Sequence, residues 1–162
     1  MHILFTRPFD DANELILKFK SLGHMVSNIP VILISEKSYP KINPKSFKGI
    51  IFTSSNAIKF LDTKIFDKNI KCFCVGSSTE HAAKREGFQN IFSADGNVNN
   101  LKEIILQNFK SYEGKLIYIS GEMITYDLDK YLISEGLKVD RVINYSADPI
   151  EKFDDILIND LK

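Results

Sequence analysis

Three short turns carry the residue types best suited to hold a polar ligand. Each follows an apolar run and places hydroxyl groups or small residues where a strand should give way to a helix. They are Thr53-Ser54-Ser55-Asn56-Ala57, Gly76-Ser77-Ser78-Thr79 and Ser120-Gly121-Glu122. Backbone N–H groups and the positive end of a helix make such turns receptive to carboxylates and phosphates. Ser, Thr and Asn are also ordinary helix N-caps, so only the three turns together favour a ligand cleft.

Motifs for other chemistries are absent from the sequence. No segment has the spacing of a P-loop, and no Gly-x-Gly-x-x-Gly follows a predicted strand, which removes most support for nucleotide binding. His2, His24 and His81 lack metal-ligand spacing and no Ser–His–acid set has a nucleophile-elbow context, so neither a metalloenzyme nor a hydrolase is expected. Tyr145, at the end of the last predicted strand, could donate a hydrogen bond or a proton. A tyrosine there is more often part of a core or an interface.

The two cysteines, Cys72 and Cys74, lie two residues apart in an apolar run. Period-two alternation puts both side chains on one face of a strand, where neighbours at this spacing rarely form a disulfide. A metal pair would need further Cys or His nearby. We therefore expect buried, reduced thiols.

Composition and charge restrict the class of protein. The chain has 162 residues, 44% hydrophobic and 26% charged, with 21 Lys and Arg against 21 Asp and Glu. These values are typical of globular proteins and not of disordered, fibrous or membrane proteins. A balanced charge argues against a nucleic-acid or membrane-surface partner. The first apolar segment, Ile3-Leu4-Phe5, is too short for a signal peptide or a membrane span, so we expect a cytoplasmic protein.

Apolar runs alternate with amphipathic segments, which is the pattern of a parallel α/β protein. The predicted strands are Ile3–Thr6, Met25–Leu33, Gly49–Thr53, Lys71–Gly76, Asn90–Ala94, Lys115–Ser120 and Lys138–Tyr145. Apolar stripes on the intervening helices should face the sheets. These stripes are Leu15, Phe19 and Leu22; Leu101, Ile105 and Phe109; and Leu128, Tyr131 and Leu132.

Two segments without periodicity, Ser35–Ser46 and Ser146–Asp155, indicate crossings between two lobes. We expect a partial first lobe of residues 1–34 and 147–162, a crossing linker at 35–47, and a second lobe, parallel α/β, at 48–146. The first lobe would hold two strands, one helix and the fragment Phe153–Lys162, which is a thin core.

Taken in order, these segments resemble the uroporphyrinogen-III synthase family over roughly residues 1 to 150. The resemblance rests on Leu4-Phe5-Thr6-Arg7-Pro8, Gly23, Pro30, Ile51-Phe52-Thr53-Ser54-Ser55-Asn56-Ala57, Val75-Gly76-Ser77-Ser78-Thr79, Gly121 and Val142-Ile143-Asn144-Tyr145. It implies a two-lobed α/β fold with flavodoxin-like parallel sheets, the second lobe inserted in the first. It also implies a lyase of haem biosynthesis that cyclises hydroxymethylbilane to uroporphyrinogen III, inverts ring D and needs no metal or organic cofactor.

The same resemblance implies roles for individual residues. Tyr145 matches the cleft tyrosine proposed to help the substrate hydroxyl depart, which makes it the candidate catalytic residue. The implied substrate-binding residues are Arg7, Thr53, Ser54, Ser55, Ser77, Ser78, Thr79 and Gly121. Arg7 could pair with a substrate carboxylate or tie the lobes together. We interpret Glu122 as a first-turn acid facing a helix dipole, without a catalytic role.

The resemblance also implies further strand–helix units in the first lobe, whereas this sequence ends at Lys162, after Phe153–Leu161 begins what could be a returning helix. We expect an incomplete first lobe, a binding site without about half of its residues, and self-association or a partner chain that could fill the gap. Activity of the chain alone would then be in question. Two alternatives stay open: a non-catalytic flavodoxin-like domain that binds a small anion, and an FMN-binding flavodoxin, which would be yellow.

Overall fold

The computed structural model describes residues 1–151, which form eight strands, five α-helices and three short 3₁₀ helices. The strands are β1 His2–Phe5, β2 Met25–Asn28, β3 Ile32–Glu36, β4 Gly49–Phe52, β5 Lys71–Val75, β6 Ile91–Ala94, β7 Lys115–Gly121 and β8 Lys138–Pro149. The helices are α1 Phe9–Ser21, α2 Ser55–Lys59, α3 Gly76–Arg85, α4 Val98–Asn108 and α5 Leu128–Ser134. The predicted fragment Phe153–Lys162 lies outside the described residues.

The chain divides into two compact units, which we call the terminal unit, Met1–Ser35 with Ser146–Lys162, and the central unit, Glu36–Tyr145. In the terminal unit, β1 and β2 form a two-stranded parallel sheet, and α1 connects them. Within the described residues this sheet has two strands, and a sheet of that size with one helix gives only a small core.

The predicted apolar stripe of α1 is wrong at two of its three positions. Leu15 and Leu22 are exposed, whereas Ala12 and Ile16 are buried. The third predicted residue, Phe19, is half-buried, with its ring centroid 6.0 Å from that of Phe5. Apolar residues occupy three successive positions of α1, so periodicity alone could not select the buried face.

The predicted strand Met25–Leu33 is two separate strands. β2 ends at Asn28, and β3 begins at Ile32. Pro30 lies between them; it has no N–H group and its φ angle is restricted, so the ladder cannot continue through it. The last strand also differs from the prediction, because β8 continues past Tyr145 to Pro149.

The larger sheet contains six strands in the order β3-β8-β7-β4-β5-β6. Neighbouring strands from β8 to β6 are parallel. From β4 the chain moves outward through β5 to β6, and β7 then returns to the opposite side of β4. This reversal is the topological switch point of an open α/β sheet, where ligands usually bind beyond the carboxyl ends of the strands.

Helices cover both faces of this sheet, so alternate residues of a strand enter different cores. On β4, Ile50 and Phe52 pack with residues of α2 and α3, and Ile51 packs with residues of α4 and α5. The stripes predicted for α4 and α5 are confirmed: Tyr131 is half-buried against the core, and the other five residues are buried, namely Leu101, Ile105, Phe109, Leu128 and Leu132. The fold class predicted from the sequence, α/β with parallel sheets flanked by helices, is therefore confirmed.

Candidate functional site

The strand order brings the predicted turns to one edge of the sheet in the central unit. β7 ends at Gly121, Thr53 follows β4, and Gly76 follows β5. Tyr145 on β8 lies opposite Gly121. Because β8, β7, β4 and β5 are parallel neighbours, these four residues succeed one another along a single edge, which we call the carboxyl edge. The switch point lies between Gly121 and Thr53.

Gly121 provides the space that the ring of Tyr145 occupies. A Cβ atom on Gly121 would lie 2.7 Å from Cζ and 3.0 Å from the phenol oxygen of Tyr145. Such distances are well inside van der Waals contact, so any other residue at position 121 would displace the ring. The backbone N–H of Glu122 also donates to the carbonyl of Tyr145 at 2.9 Å. The two predicted site residues therefore meet in direct contact.

A β-bulge lies at this contact. On β7 and β8, Ser120 is opposite Ile143 and Gly121 is opposite Tyr145, so Asn144 has no opposing residue. The side chain of Asn144 is fully buried, and its Nδ2 donates to the carbonyl of Ala57 in α2 at 2.8 Å. The residue at the bulge thus links β8 to α2, the helix that follows β4.

The hydroxyl groups of the turn after β4 are bonded within the protein. Ser54 is the N-cap of α2, and its Oγ accepts from the backbone N–H of Asn56 at 3.2 Å. The hydroxyl of Thr53 lies 3.1 Å from the phenol oxygen of Tyr118. Ser55, half-buried, is the first residue of α2. Ser54 therefore acts as an ordinary helix N-cap, the alternative role that the sequence allows for these turns.

The turn after β5 exposes two hydroxyl groups and buries a third. Gly76 has a φ angle of +78°, which L-residues with a side chain rarely adopt, and it begins α3. Ser77 and Ser78 are exposed in the first turn of that helix. Thr79 is 4% exposed. α3 has no side-chain N-cap, so its first-turn N–H groups have no side-chain acceptor.

Arg141 of β8 holds the end of β7. Its Nε donates to Oγ of Ser120 at 2.8 Å, and its Nη2 donates to the carbonyls of Gly121 at 2.9 Å and Glu122 at 3.2 Å. A guanidinium offers donors in a rigid fork, so a single side chain can fix three successive residues. The backbone below the Tyr145 ring is therefore held from β8.

The interpretation of Glu122 as a first-turn acid is wrong. α5 begins only at Leu128, so Glu122 lies outside its first turn. Its carboxylate instead pairs with Nζ of Lys37 at 2.6 Å. Both side chains are substantially exposed, so the pair contributes little to stability.

Three residues of this region, Tyr118, Arg141 and Asn144, received no functional role from the sequence, although Asn144 lies in the family-like segment Val142-Ile143-Asn144-Tyr145. Burial raises the pKa of the Tyr118 phenol, and the hydrogen bond with Thr53 partly opposes that rise. The available signal was the presence of polar side chains inside apolar strand runs. That signal does not identify their partners, which depend on strand order.

Arg7 belongs to the terminal unit. It follows β1 and is exposed. Its carbonyl accepts a hydrogen bond from Nδ2 of Asn28 at 3.0 Å. This bond ties the segment after β1 to the end of β2.

The predicted state of the cysteines is confirmed. Cys72 and Cys74 are free and fully buried, with their Sγ atoms 3.7 Å apart. The hydrogen bond with Cys74 and burial both raise the pKa of the Cys72 thiol, so it remains protonated. Within residues 1–151, His, Cys, Asp and Glu side chains form no group of three that could hold a metal ion. None of the helices described is long and apolar enough to span a membrane.

Comparison with known proteins gives one family and several solved structures. A family model described as uroporphyrinogen-III synthase HemD, HEM4, matches residues 13–162. The crystal structure of a uroporphyrinogen-III synthetase from Helicobacter pylori is similar, with a TM-score of 0.60 and 19% identity; the alignment covers 85% of this chain and 62% of that one. A mutant uroporphyrinogen III synthase from the extremely thermophilic bacterium Thermus thermophilus has a TM-score of 0.55 and 12% identity, with 93% of this chain and 64% of that one covered.

At these identities the likeness to the solved structures concerns the fold. The chain spans less than two thirds of the length of either structure. No curated protein sequence matches it.

Proposed function

The chain belongs to the uroporphyrinogen-III synthase family, and from this premise we propose that it cyclises hydroxymethylbilane to uroporphyrinogen III, a lyase reaction of haem biosynthesis in the cytoplasm. One observation carries the proposal. The family match over residues 13–162 includes the whole carboxyl edge, on which Gly121 and Tyr145 are in contact. This edge lies at a switch point, the usual place for a ligand in such a sheet.

The charge of the proposed substrate agrees with the kind of groups that this edge offers. Hydroxymethylbilane carries eight carboxylates, whereas the protein has equal numbers of acidic and basic side chains. Its carboxylates would therefore be bound by local donors and not by a general positive field. Ser77 and Ser78, exposed on the first turn of α3 where no side chain caps the helix, are donors of this kind.

Tyr145 is the proposed catalytic residue. In the proposed reaction the hydroxymethyl group of the first ring accepts a proton and loses its hydroxyl as water, and the substituted α-carbon of the last ring attacks the resulting methylene to give a spiro intermediate. The bond from that α-carbon to its original methylene bridge then breaks, the bridge re-forms at the free α-carbon of the same ring, and loss of the proton on that carbon restores the pyrrole with the ring inverted. The phenol of Tyr145 would donate a hydrogen bond or a proton to the departing hydroxyl. Since pyrroles are reactive nucleophiles, the remaining task of the protein is to orient the two ends of the chain.

The other predicted contacts remain part of the proposal. Substrate binding is assigned to Arg7, Thr53, Ser54, Ser55, Thr79 and Gly121 in addition to the two serines of α3. Of these residues, Ser54 also caps α2 through its Oγ, and Thr79 is buried.

We also propose that the terminal unit associates with a second copy of the chain. Among residues 1–151, ten of the fifteen exposed large hydrophobic side chains lie in Met1–Ser35. Within the described residues the β1–β2 sheet has two strands, and open strand edges with apolar surface tend to pair with another chain. We further propose that the lobe at residues 48–146 is inserted into the first lobe through the linker at 35–47.

The direct test uses the full 162-residue chain and freshly generated hydroxymethylbilane, followed by oxidation and separation of uroporphyrin isomers I and III. The uncatalysed reaction gives isomer I and is the internal control. Enrichment in isomer III is the expected result. Isomer I alone, at every protein concentration that populates the proposed dimer, would overturn the proposed activity for this chain.

A further inference from the structure

We propose that Asn144 is a positioning residue for Tyr145: its buried amide holds the β-bulge that turns the tyrosine ring onto Gly121. The inference rests on the proposed function only for its kinetic consequence. Its structural part concerns a contact that can be measured without substrate.

The bulge interrupts the alternation of side chains along β8. In a regular strand, successive side chains point to opposite faces, so Asn144 and Tyr145 would lie on different sides of the sheet. Here the amide of Asn144 bonds to Ala57, and Tyr145 packs against the hydrophobic cluster that contains Ala57. Both side chains therefore lie on the face of the sheet that α2 and α3 cover. The unpaired position at Asn144 is what permits this.

Hydrogen bonds keep the extra residue in place. Asn144 is fully buried and is held from two directions. Its Nδ2 donates to the Ala57 carbonyl at 2.8 Å, and its own carbonyl accepts from the backbone N–H of Lys37 at 2.9 Å. If the strand slipped by one residue into regular pairing, the amide would leave Ala57 and the Tyr145 ring would leave Gly121.

The buried amide oxygen of Asn144 lowers the stability of the fold. Oδ1 of Asn144 is buried and has no hydrogen-bond partner among residues 1–151. An unsatisfied buried acceptor costs about 1–3 kcal/mol, so an amide is a poor choice here for stability alone. An apolar residue of similar size could not donate the hydrogen bond to the Ala57 carbonyl. A local cost of this kind is common where a side chain positions a functional group.

The end of β7, which faces Tyr145, is held by a different side chain. Arg141 donates hydrogen bonds to the carbonyls of Gly121 and Glu122, so the β7 backbone that the Tyr145 ring contacts is held independently of Asn144. Loss of the Asn144 amide should therefore move the ring and leave the end of β7 in place. This separation allows a specific test.

The test measures the Hα chemical shifts of Gly121 by NMR, because an aromatic ring in contact with a glycine displaces its Hα resonances. The displacement is defined as the difference between the wild type and Tyr145→Leu, which removes the ring. We expect Asn144→Ala to abolish at least half of that displacement. Asn108→Ala is the matched control, since Asn108 also donates Nδ2 to a backbone carbonyl at 2.8 Å, that of Ile104, within α4. Wild-type Gly121 shifts in Asn144→Ala would overturn the proposal.

A second variant decides the question if Asn144→Ala does not fold. Asn144→Asp has the same shape, and its carboxyl can donate to the Ala57 carbonyl only when protonated. We expect the displacement to be lost when that carboxyl is ionised and to return on acidification. Wild-type shifts that do not change through the titration would contradict the proposed role.

The kinetic arm separates this inference from the proposed function. If the wild type produces isomer III, we expect Asn144→Ala to lower kcat about tenfold or more with KM nearly unchanged, since a misplaced catalytic group affects turnover more than binding. If the wild type produces only isomer I, the proposed function fails, and the Gly121 shifts still decide the role of Asn144. An unchanged kcat in Asn144→Ala with an active wild type would refute the kinetic consequence.

Discussion

The ring of Tyr145 lies over Gly121, so close that a Cβ atom at Gly121 would be 2.7 Å from Cζ of the tyrosine. The contact joins the neighbouring parallel strands β7 and β8, and β7 is also one of the two strands that border the switch point. Substitution of either residue therefore tests the contact with the other.

Gly121→Ala should lower both stability and activity. The added methyl group must push the Tyr145 ring aside, and overpacking of this kind costs about 1–3 kcal/mol. The measurement is the free energy of unfolding from denaturant titration, with isomer III production in parallel. In a Tyr145→Leu background the same change should cost less, because the ring atoms that it would meet are gone. Equal costs in the two backgrounds would show that the contact does not determine the penalty.

Tyr145→Phe should keep the fold and slow the proposed reaction. The substitution preserves the ring over Gly121 and removes only the phenol oxygen, so the free energy of unfolding should change little. Loss of a general acid typically reduces the rate by about 10²-fold or more. The assay is the initial rate of isomer III formation. A rate equal to that of the wild type would remove Tyr145 from the proposed catalytic role, whatever its structural importance.

Tyr118 should make the protein less stable at high pH. Burial raises its pKa above the ordinary value of 10.0, so the folded state retains a proton that the unfolded state loses. Above about pH 10 the unfolded state binds fewer protons, and stability must fall as pH rises towards the folded pKa. Tyr118→Phe removes this contribution of Tyr118 to the pH dependence of stability. It should cost about 1 kcal/mol at neutral pH through loss of the Thr53 hydrogen bond.

The check for Tyr118 is the stability difference between the wild type and Tyr118→Phe, followed from neutral pH upward by denaturant titration. The difference should shrink above about pH 10, because only the wild type carries the buried phenol. A constant difference would contradict the raised pKa. Differences, rather than absolute values, cancel the titration of the other tyrosines and lysines.

Cys72 and Cys74 should be inert towards alkylation while the protein is folded. Both thiols are fully buried, and the raised pKa of Cys72 disfavours its reactive thiolate. Labelling by iodoacetamide, followed by mass spectrometry, should therefore accelerate only as denaturant opens the core. Rapid labelling in native buffer would show that the strand carrying these residues is accessible.

Met25→Lys should weaken the proposed self-association. Met25 is 69% exposed on β2 of the two-stranded sheet, and a charge there would have to be desolvated in an apolar interface. We expect a dimer dissociation constant about tenfold higher by sedimentation velocity, which corresponds to ~1.4 kcal/mol. Tyr112→Lys is the control, since Tyr112 is 87% exposed in the central unit. A wild type that stays monomeric at all accessible concentrations would dispose of the proposal.

The amino-acid sequence by itself determined the class of fold and most of the strands of the central unit. Buried parallel strands appear as continuous apolar runs, and helices covering them appear as stripes, so both signals are local. Gly121 and Tyr145 could also be selected from the sequence as site candidates. The face of α1 could not, because three successive apolar residues offer more than one stripe.

The tertiary structure alone decided which polar side chains serve the carboxyl edge. The amide of Asn144 bonds to a residue 87 positions away, and Tyr118 bonds to Thr53 across 65 positions. These pairings depend on the order of strands in the sheet and on a one-residue bulge, and neither has a local sequence pattern. A shift of one residue in register would exchange the faces of every side chain on β8. Long-range hydrogen bonds, rather than local propensity, therefore place Tyr145 over Gly121.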